Sequence, residues 1–144
     1  MITGEQVKQE ALSWVGTTFR HNQSCKQQGS DCVGLVYGTF KALGCVPADF
    51  APKPYSQQWH IHKNEELLLD QAVAFGCVDV EGEPQMGDLL FFQYGRVCSH
   101  IGIYIGNSEM VHAFYGLQTA VRQPLTGDLQ KRLKRVMRTP WVAE

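Results

Sequence analysis

The hydrophobic period changes partway along this chain, and that change constrains the fold more than any other feature. Up to Gly76 the apolar residues recur at helical spacing; from Asp88 onward they alternate. Thr3-Gly4-Glu5-Gln6 reads as a capping box, and Val7, Ala11, Leu12, Trp14 and Val15 then predict a short amphipathic helix ending at Gly16. Thr17 to Gly29 is polar and irregular, a loop. Ser30-Asp31-Cys32-Val33 opens a second helix of about 13 residues, with Ser30 able to cap, Asp31 complementing the dipole, apolar residues at 33, 36, 40 and 43, and Gly44 closing it. Gly34 and Gly38 let this helix approach a neighbouring sheet closely. Cys45 to His62 is rich in proline and aromatics and is expected to be irregular. A third helix is predicted from Asn64 to Phe75, capped by Asn64 and stopped by Gly76. Asp88–Gln93, Ser99–Ile105 and Glu109–Phe114 read as strands, with turns at Gly95 and Gly106-Asn107. Helices followed by hairpin-linked strands predict an α+β fold with an antiparallel sheet.

The chain has 144 residues, which fits a single domain over 1–144. A domain of that size buries enough surface to fold without disulfides or a metal. Its net charge of −1 argues neither for nucleic acid nor for an anionic membrane surface as a partner, and neither is expected. The basic run Lys131-Arg132-Leu133-Lys134-Arg135 is read as a solvated face near the chain end, contact with an anionic polymer being the alternative. No window approaches 18 consecutive apolar residues, so no membrane span is expected. Met1 to Gln6 lacks the basic and apolar regions of a secretory signal, which predicts synthesis in the cytoplasm and a different route of exit.

Five cysteines, at 25, 32, 45, 77 and 98, make an odd number without any C-x-x-C pair. Zinc ribbons, redox motifs and a full disulfide framework are disfavoured. Cys32 alone opens a helix, where N–H groups and the dipole favour a thiolate. Among the histidines, His100 shares one strand face with Gly102 and Tyr104, opposite Ile101, Ile103 and Ile105. A three-residue loop Gly106-Asn107-Ser108 would pair Gly102 with His112 and bring His112 to the same face, roughly 7–8 Å from His100 along the diagonal. A two-residue loop would send it to the other side. On the first register His112 can orient His100 as a base for Cys32. His60-Ile61-His62 lacks acids or cysteines at ligand spacing and is a poor metal site, so no metal and no cofactor are expected.

Gly29-Ser30-Asp31-Cys32-Val33-Gly34-Leu35-Val36 resembles the nucleophile motif of the NlpC-type cell-wall peptidases, a papain-like family. Met86 to Phe92 resembles their strand motif, and Ser99 to Gly106 resembles their base motif. The order and spacing hold from Ala11 to about Arg138. The resemblance implies a papain-like α+β fold, with N-terminal helices carrying the nucleophile at a helix start against a C-terminal antiparallel sheet. It implies Cys32 as nucleophile, His100 as base and His112 as orienting residue. The implied reaction is cleavage of amide bonds in peptidoglycan stem peptides, between D-γ-glutamyl and a diamino acid, through an acyl-enzyme.

Trp14-Val15-Gly16-Thr17-Thr18-Phe19-Arg20-His21 resembles a short branch found in phage tail operons. That implies tail or injection-apparatus proteins as partners and delivery to the wall by them. Two departures stand out. Val33 replaces a serine, which has no required chemical role. Phe19 stands where the family has a tyrosine whose hydroxyl stabilises the oxyanion, and loss of such a donor costs on the order of 10²–10³ in rate. His21 and Gln23 are the substitute donors considered. Asp31, next to the nucleophile, and the aromatic pair Tyr55 and Trp59 complete the substrate-binding candidates. Two other functions fit the same residues: a thiol acyltransferase, and a weakly active tail-assembly or wall-binding module.

Overall fold

The computed structural model describes residues 1–52 and 66–143. Tyr55, Trp59, His60, His62 and Asn64 lie outside the described residues. Helix α1 (Gly4–Leu12) starts as the capping box requires. Thr3 Oγ1 accepts from the Gln6 N–H at 3.1 Å, and Gln6 Oε1 accepts from the Thr3 N–H at 2.9 Å. Val7 and Ala11 are buried, and Trp14 follows them into the core. The expected loop contains a small ribbon, β1 (Ser24–Cys25) antiparallel to β2 (Gly29–Ser30).

Helix α2 (Cys32–Ala42) comes next, with Asp31, and not Ser30, as its N-cap. Gly44 follows its C-cap at φ +78, the left-handed conformation expected there. The two helical glycines do permit close approach, though the neighbours are not the sheet. A Cβ on Gly34 would lie 2.0 Å from the Gln23 carbonyl oxygen, and one on Gly38 would lie 2.2 Å from the Trp14 ring. Helix α3 (Leu67–Ala74) begins later than predicted. Its N-cap is Glu66, whose side chain makes no capping bond and instead accepts the Cys98 N–H at 2.8 Å. Gly76 ends it at φ +92.

The C-terminal half is one sheet of six strands: β3 (Val78–Asp79), β4 (Leu89–Tyr94), β5 (Val97–Gly106), β6 (Glu109–Phe114), β7 (Thr119–Pro124) and β8 (Leu133–Arg138). Their order is β3-β8-β4-β5-β6-β7, every pair antiparallel. A 3-10 turn (Tyr115–Leu117) links β6 to β7, and helix α4 (Gly127–Arg132) precedes β8. The basic run therefore straddles a helix end and a strand start, where Arg132 pairs with Asp128 and Arg135 with Asp79, both at 2.8 Å.

The faces of the sheet differ. Ile101, Ile103, Ile105, Val111 and Ala113 pack in one cluster with α1, α2 and α3. Leu90, Phe92, Tyr104 and Met110 form a second cluster beneath Leu129 of α4. This is the predicted α+β arrangement, helices against an antiparallel sheet. Among the described residues no helix is long and apolar enough to cross a membrane.

Candidate active site

Asp31 shapes the start of α2. Its Oδ1 accepts the Gly34 N–H at 2.7 Å and its Oδ2 accepts the Asn22 N–H at 2.8 Å, while its own N–H reaches the Gln23 carbonyl at 3.1 Å. The carboxylate is buried and turns the chain so that Cys32 becomes the first helical residue, 6% exposed. The backbone N–H groups of Ile101, Val33 and Cys32 itself favour ionisation of the sulfur. Burial, and then the negative charge of Asp31, oppose them and raise the thiol to about 12. The helix start was expected to lower it. Burial wins, because desolvating a thiolate costs more than a few partial charges return.

The pairing of β4 with β5 sets the direction of the Ile101 N–H. Tyr104 gives its N–H to Asp88 and accepts that of Gly87, so its polar groups face β4. Alternation then turns the Ile101 N–H towards β6. The β5–β6 ladder, however, runs only from Gly106↔Glu109 to Ile103↔Val111, short of Ile101. The freed N–H favours the ionised form of the Cys32 thiol. Helix α2 packs on the isoleucine face of the sheet, opposite the face that His100 shares with Gly102 and Tyr104.

The expected register is present, but not through the expected loop. Gly106 pairs with Glu109 around a two-residue turn, Asn107-Ser108, with φ +52 and +58, the type I′ pattern. Such a turn alone would send His112 to the wrong face. A bulge between Tyr104 and Gly106 inserts Ile105 as an unpaired residue and restores the register that sets His112 beside Gly102. A Cβ on Gly102 would lie 3.3 Å from the His112 Cβ, so the glycine leaves room for that ring.

The result is a line of polar atoms. His100 Nε2 lies 2.7 Å from His112 Nδ1, and His112 Nε2 lies 2.7 Å from Gln123 Oε1. Phe92, Tyr94 and Phe114 surround the His100 ring at 5.6, 6.1 and 5.2 Å between centroids. Burial, reinforced by His112, holds His100 well below its ordinary pKa, and burial lowers His112 despite the Gln123 bond. Both imidazoles are therefore neutral near pH 7 and able to accept a proton. Gln123 was missed in the sequence because Thr119–Pro124 carries a weak, half-exposed alternation and ends on proline. Pairing that segment with Glu109–Phe114 was the signal that would have found it.

The remaining candidates divide. His21 stands 4.0 Å from the Asp31 carboxylate. Gln23 supports α2 through its backbone carbonyl, with an exposed side chain. Phe19 bridges to Ser30, two residues before Cys32, and meets Tyr115 edge-on at 5.7 Å. Among the described residues no cluster of three or more His, Cys, Asp or Glu is placed to hold a metal.

The chain resembles known proteins over most of its length. A model of the NlpC/P60 family matches residues 13–138. The probable endopeptidase NlpC homolog of Haemophilus influenzae is 29% identical over 103 residues, 72% of this chain and 45% of that protein. The murein DD-endopeptidase MepS/murein LD-carboxypeptidase of Escherichia coli is 29% identical over 108 residues, 75% of this chain and 48% of that protein. The chain thus spans less than half the length of these two relatives. A crystal structure of an NlpC/P60 family protein from Bacillus cereus superposes with a TM-score of 0.70 at 20% identity, covering 95% of this chain and 40% of that one.

Proposed function

The chain belongs to the NlpC/P60 family, and from that premise we propose that it is a cysteine endopeptidase of peptidoglycan stem peptides. Cys32 is the nucleophile, His100 the base and His112 the residue that orients it. As the sulfur attacks the scissile carbonyl carbon, its proton passes to the unbonded Nδ1 of His100. The N-terminal dipole of α2 favours the oxygen that becomes negative. The proton then moves to the departing amine, leaving a thioester, and water activated by His100 releases the acid and the free thiol. The bond proposed is that between D-γ-glutamyl and a diamino acid.

The observation that carries this reading is the buried pair His100 and His112, whose ring nitrogens lie 2.7 Å apart. The pair supplies a neutral imidazole held through Nε2, and Cys32 opens α2 as the nucleophile candidate. Residues 1–144 act here as one domain. The likeness of Trp14–His21 to the phage-tail branch supports delivery to the wall by a tail or injection apparatus. Release of soluble fragments from purified sacculi tests the activity. A Cys32→Ala protein that solubilised them at the parent rate would overturn it.

Phe19 favours a second reading, a weakly active wall-binding or tail module, because it brings no hydroxyl to the oxyanion. A Phe19→Tyr protein distinguishes the two. No gain in rate from the restored hydroxyl means that the oxyanion is already served; a gain of 10²-fold or so means that the parent chain is impaired.

A further inference from the structure

The hydrogen-bonded line does not end at His112. Gln123, on β7, closes it at 2.7 Å with an amide oxygen, an atom that only accepts. We propose that Gln123 is a positioning residue for His100, acting through His112, and that its amide oxygen selects the tautomer in which His100 is a base. This inference rests on the proposed peptidase reading. An accepting oxygen requires the proton of neutral His112 to be on Nε2, which leaves its Nδ1 bare. That nitrogen, 2.7 Å from His100 Nε2, can then only accept, so His100 carries its proton on Nε2. The lone pair of His100 Nδ1 remains for the Cys32 proton. With the amide reversed, each step inverts: His112 is protonated on Nδ1, His100 on Nδ1, and the thiol faces a nitrogen that cannot accept. A wrong tautomer of this kind is severely damaging in serine peptidases, where it costs about 10⁴ in kcat.

The rest of the His112 surroundings do not supply an alternative. Phe114 stacks on the His112 ring at 5.2 Å, and the histidine is fully buried. Gln123 itself is only partly buried, on a strand at the end of the sheet order, with its backbone opposite Met110. A substitution there changes the line with little effect on the core.

Two variants and two readouts test the assignment. Gln123→Leu removes the acceptor and keeps the approximate volume; Gln123→Glu restores an acceptor that cannot be reversed. With a γ-D-glutamyl-diaminopimelate muropeptide as probe, Gln123→Leu is expected to lower kcat about 10- to 100-fold with KM little changed, the range met when the outer partner of a functional imidazole is lost. Gln123→Glu is expected to stay within a few-fold of the parent. Nitrogen-15 shifts of the histidine side chains in the parent protein should show the Nε2–H form for both His100 and His112, and a mixture of tautomers in Gln123→Leu. The shifts are read without substrate, so they stand even if the chain proves inactive on peptidoglycan. Nδ1–H at His100 in the parent overturns the proposal, as does a fully active Gln123→Leu protein. Loss of activity in both variants with unchanged tautomers also overturns it, since the role would then be structural.

Discussion

His100 Nε2 lies 2.7 Å from His112 Nδ1, and both rings are buried. They stand on neighbouring strands, β5 and β6, whose register the bulge at Ile105 sets. Burial favours the neutral forms of the Cys32 thiol and the His100 imidazole. On the proposed mechanism, proton transfer accordingly accompanies attack instead of preceding it.

The charge of Asp31 contributes to that neutrality. Asp31→Asn should keep the cap, since Asn caps as well as Asp, while removing a negative charge beside the sulfur. Alkylation of Cys32 by iodoacetamide, followed against pH, should shift to lower pH than in the parent. The amide has one oxygen for two N–H groups, those of Gly34 and Asn22, so about 1–3 kcal/mol of stability should be lost in urea unfolding. An unchanged alkylation profile would contradict the electrostatic role.

The histidine pair predicts the acid side of the pH profile. His100 and His112 are depressed in the fold, so they remain unprotonated as pH falls through 6.5, where an unfolded histidine takes up its proton. The acid limb of kcat/KM should accordingly lie below pH 6.5. Stability should be at its full value above pH 6.5 and decline as pH falls towards the folded values, because the unfolded chain then binds more protons. A limb centred at or above 6.5 would show that burial does not control His100.

At the β5–β6 turn Ser108 adopts φ +58, which suits glycine better. Ser108→Gly should stabilise the protein by about 0.5–1 kcal/mol, the relief of a left-handed residue less the added chain entropy of glycine. For a chain of this length that is an increase of roughly 2–4 °C in Tm. A fall in Tm would mean that the turn is not of the type I′ form.

Gly34→Ala should be destabilising although alanine is the better helix former by about 1 kcal/mol. Its Cβ would lie 2.0 Å from the carbonyl oxygen of Gln23, a backbone atom that also accepts the Asp31 N–H. A net loss of roughly 1–3 kcal/mol and slower Cys32 alkylation are expected, measured by denaturant unfolding and thiol labelling. A gain in stability would show that the Gln23 loop yields freely.

Much of this was readable from residues because the signals were local. The capping box at Thr3, the glycine stop at Gly44 and the three strands around Ser99–Ile105 appear close to where the sequence put them. The face shared by His100 and His112 was also legible, although the device that produces it, a bulge at Ile105, leaves no mark in an unbroken apolar alternation. The run Lys131–Arg135 was read as a solvated face, yet β8 begins inside it and pairs with β4; Arg135 bonds Asp79 and the following Arg138 bonds Asp88, both from distant points in the chain. The thiol's raised pKa was misjudged for the same reason. Helix position is written in the sequence, whereas burial is set by everything that packs around it.

The central claim is that Cys32 cleaves a stem-peptide amide with His100 as base. Its most direct test is mass-spectrometric analysis of muropeptides of known chemotype after incubation with the parent protein and with Cys32→Ala. The account predicts a new free amine on the diamino acid and a new γ-carboxyl on D-glutamate, with the product falling by at least about 10³-fold in the variant. The same products at the parent rate from Cys32→Ala, or intact muropeptides with both proteins, would contradict it.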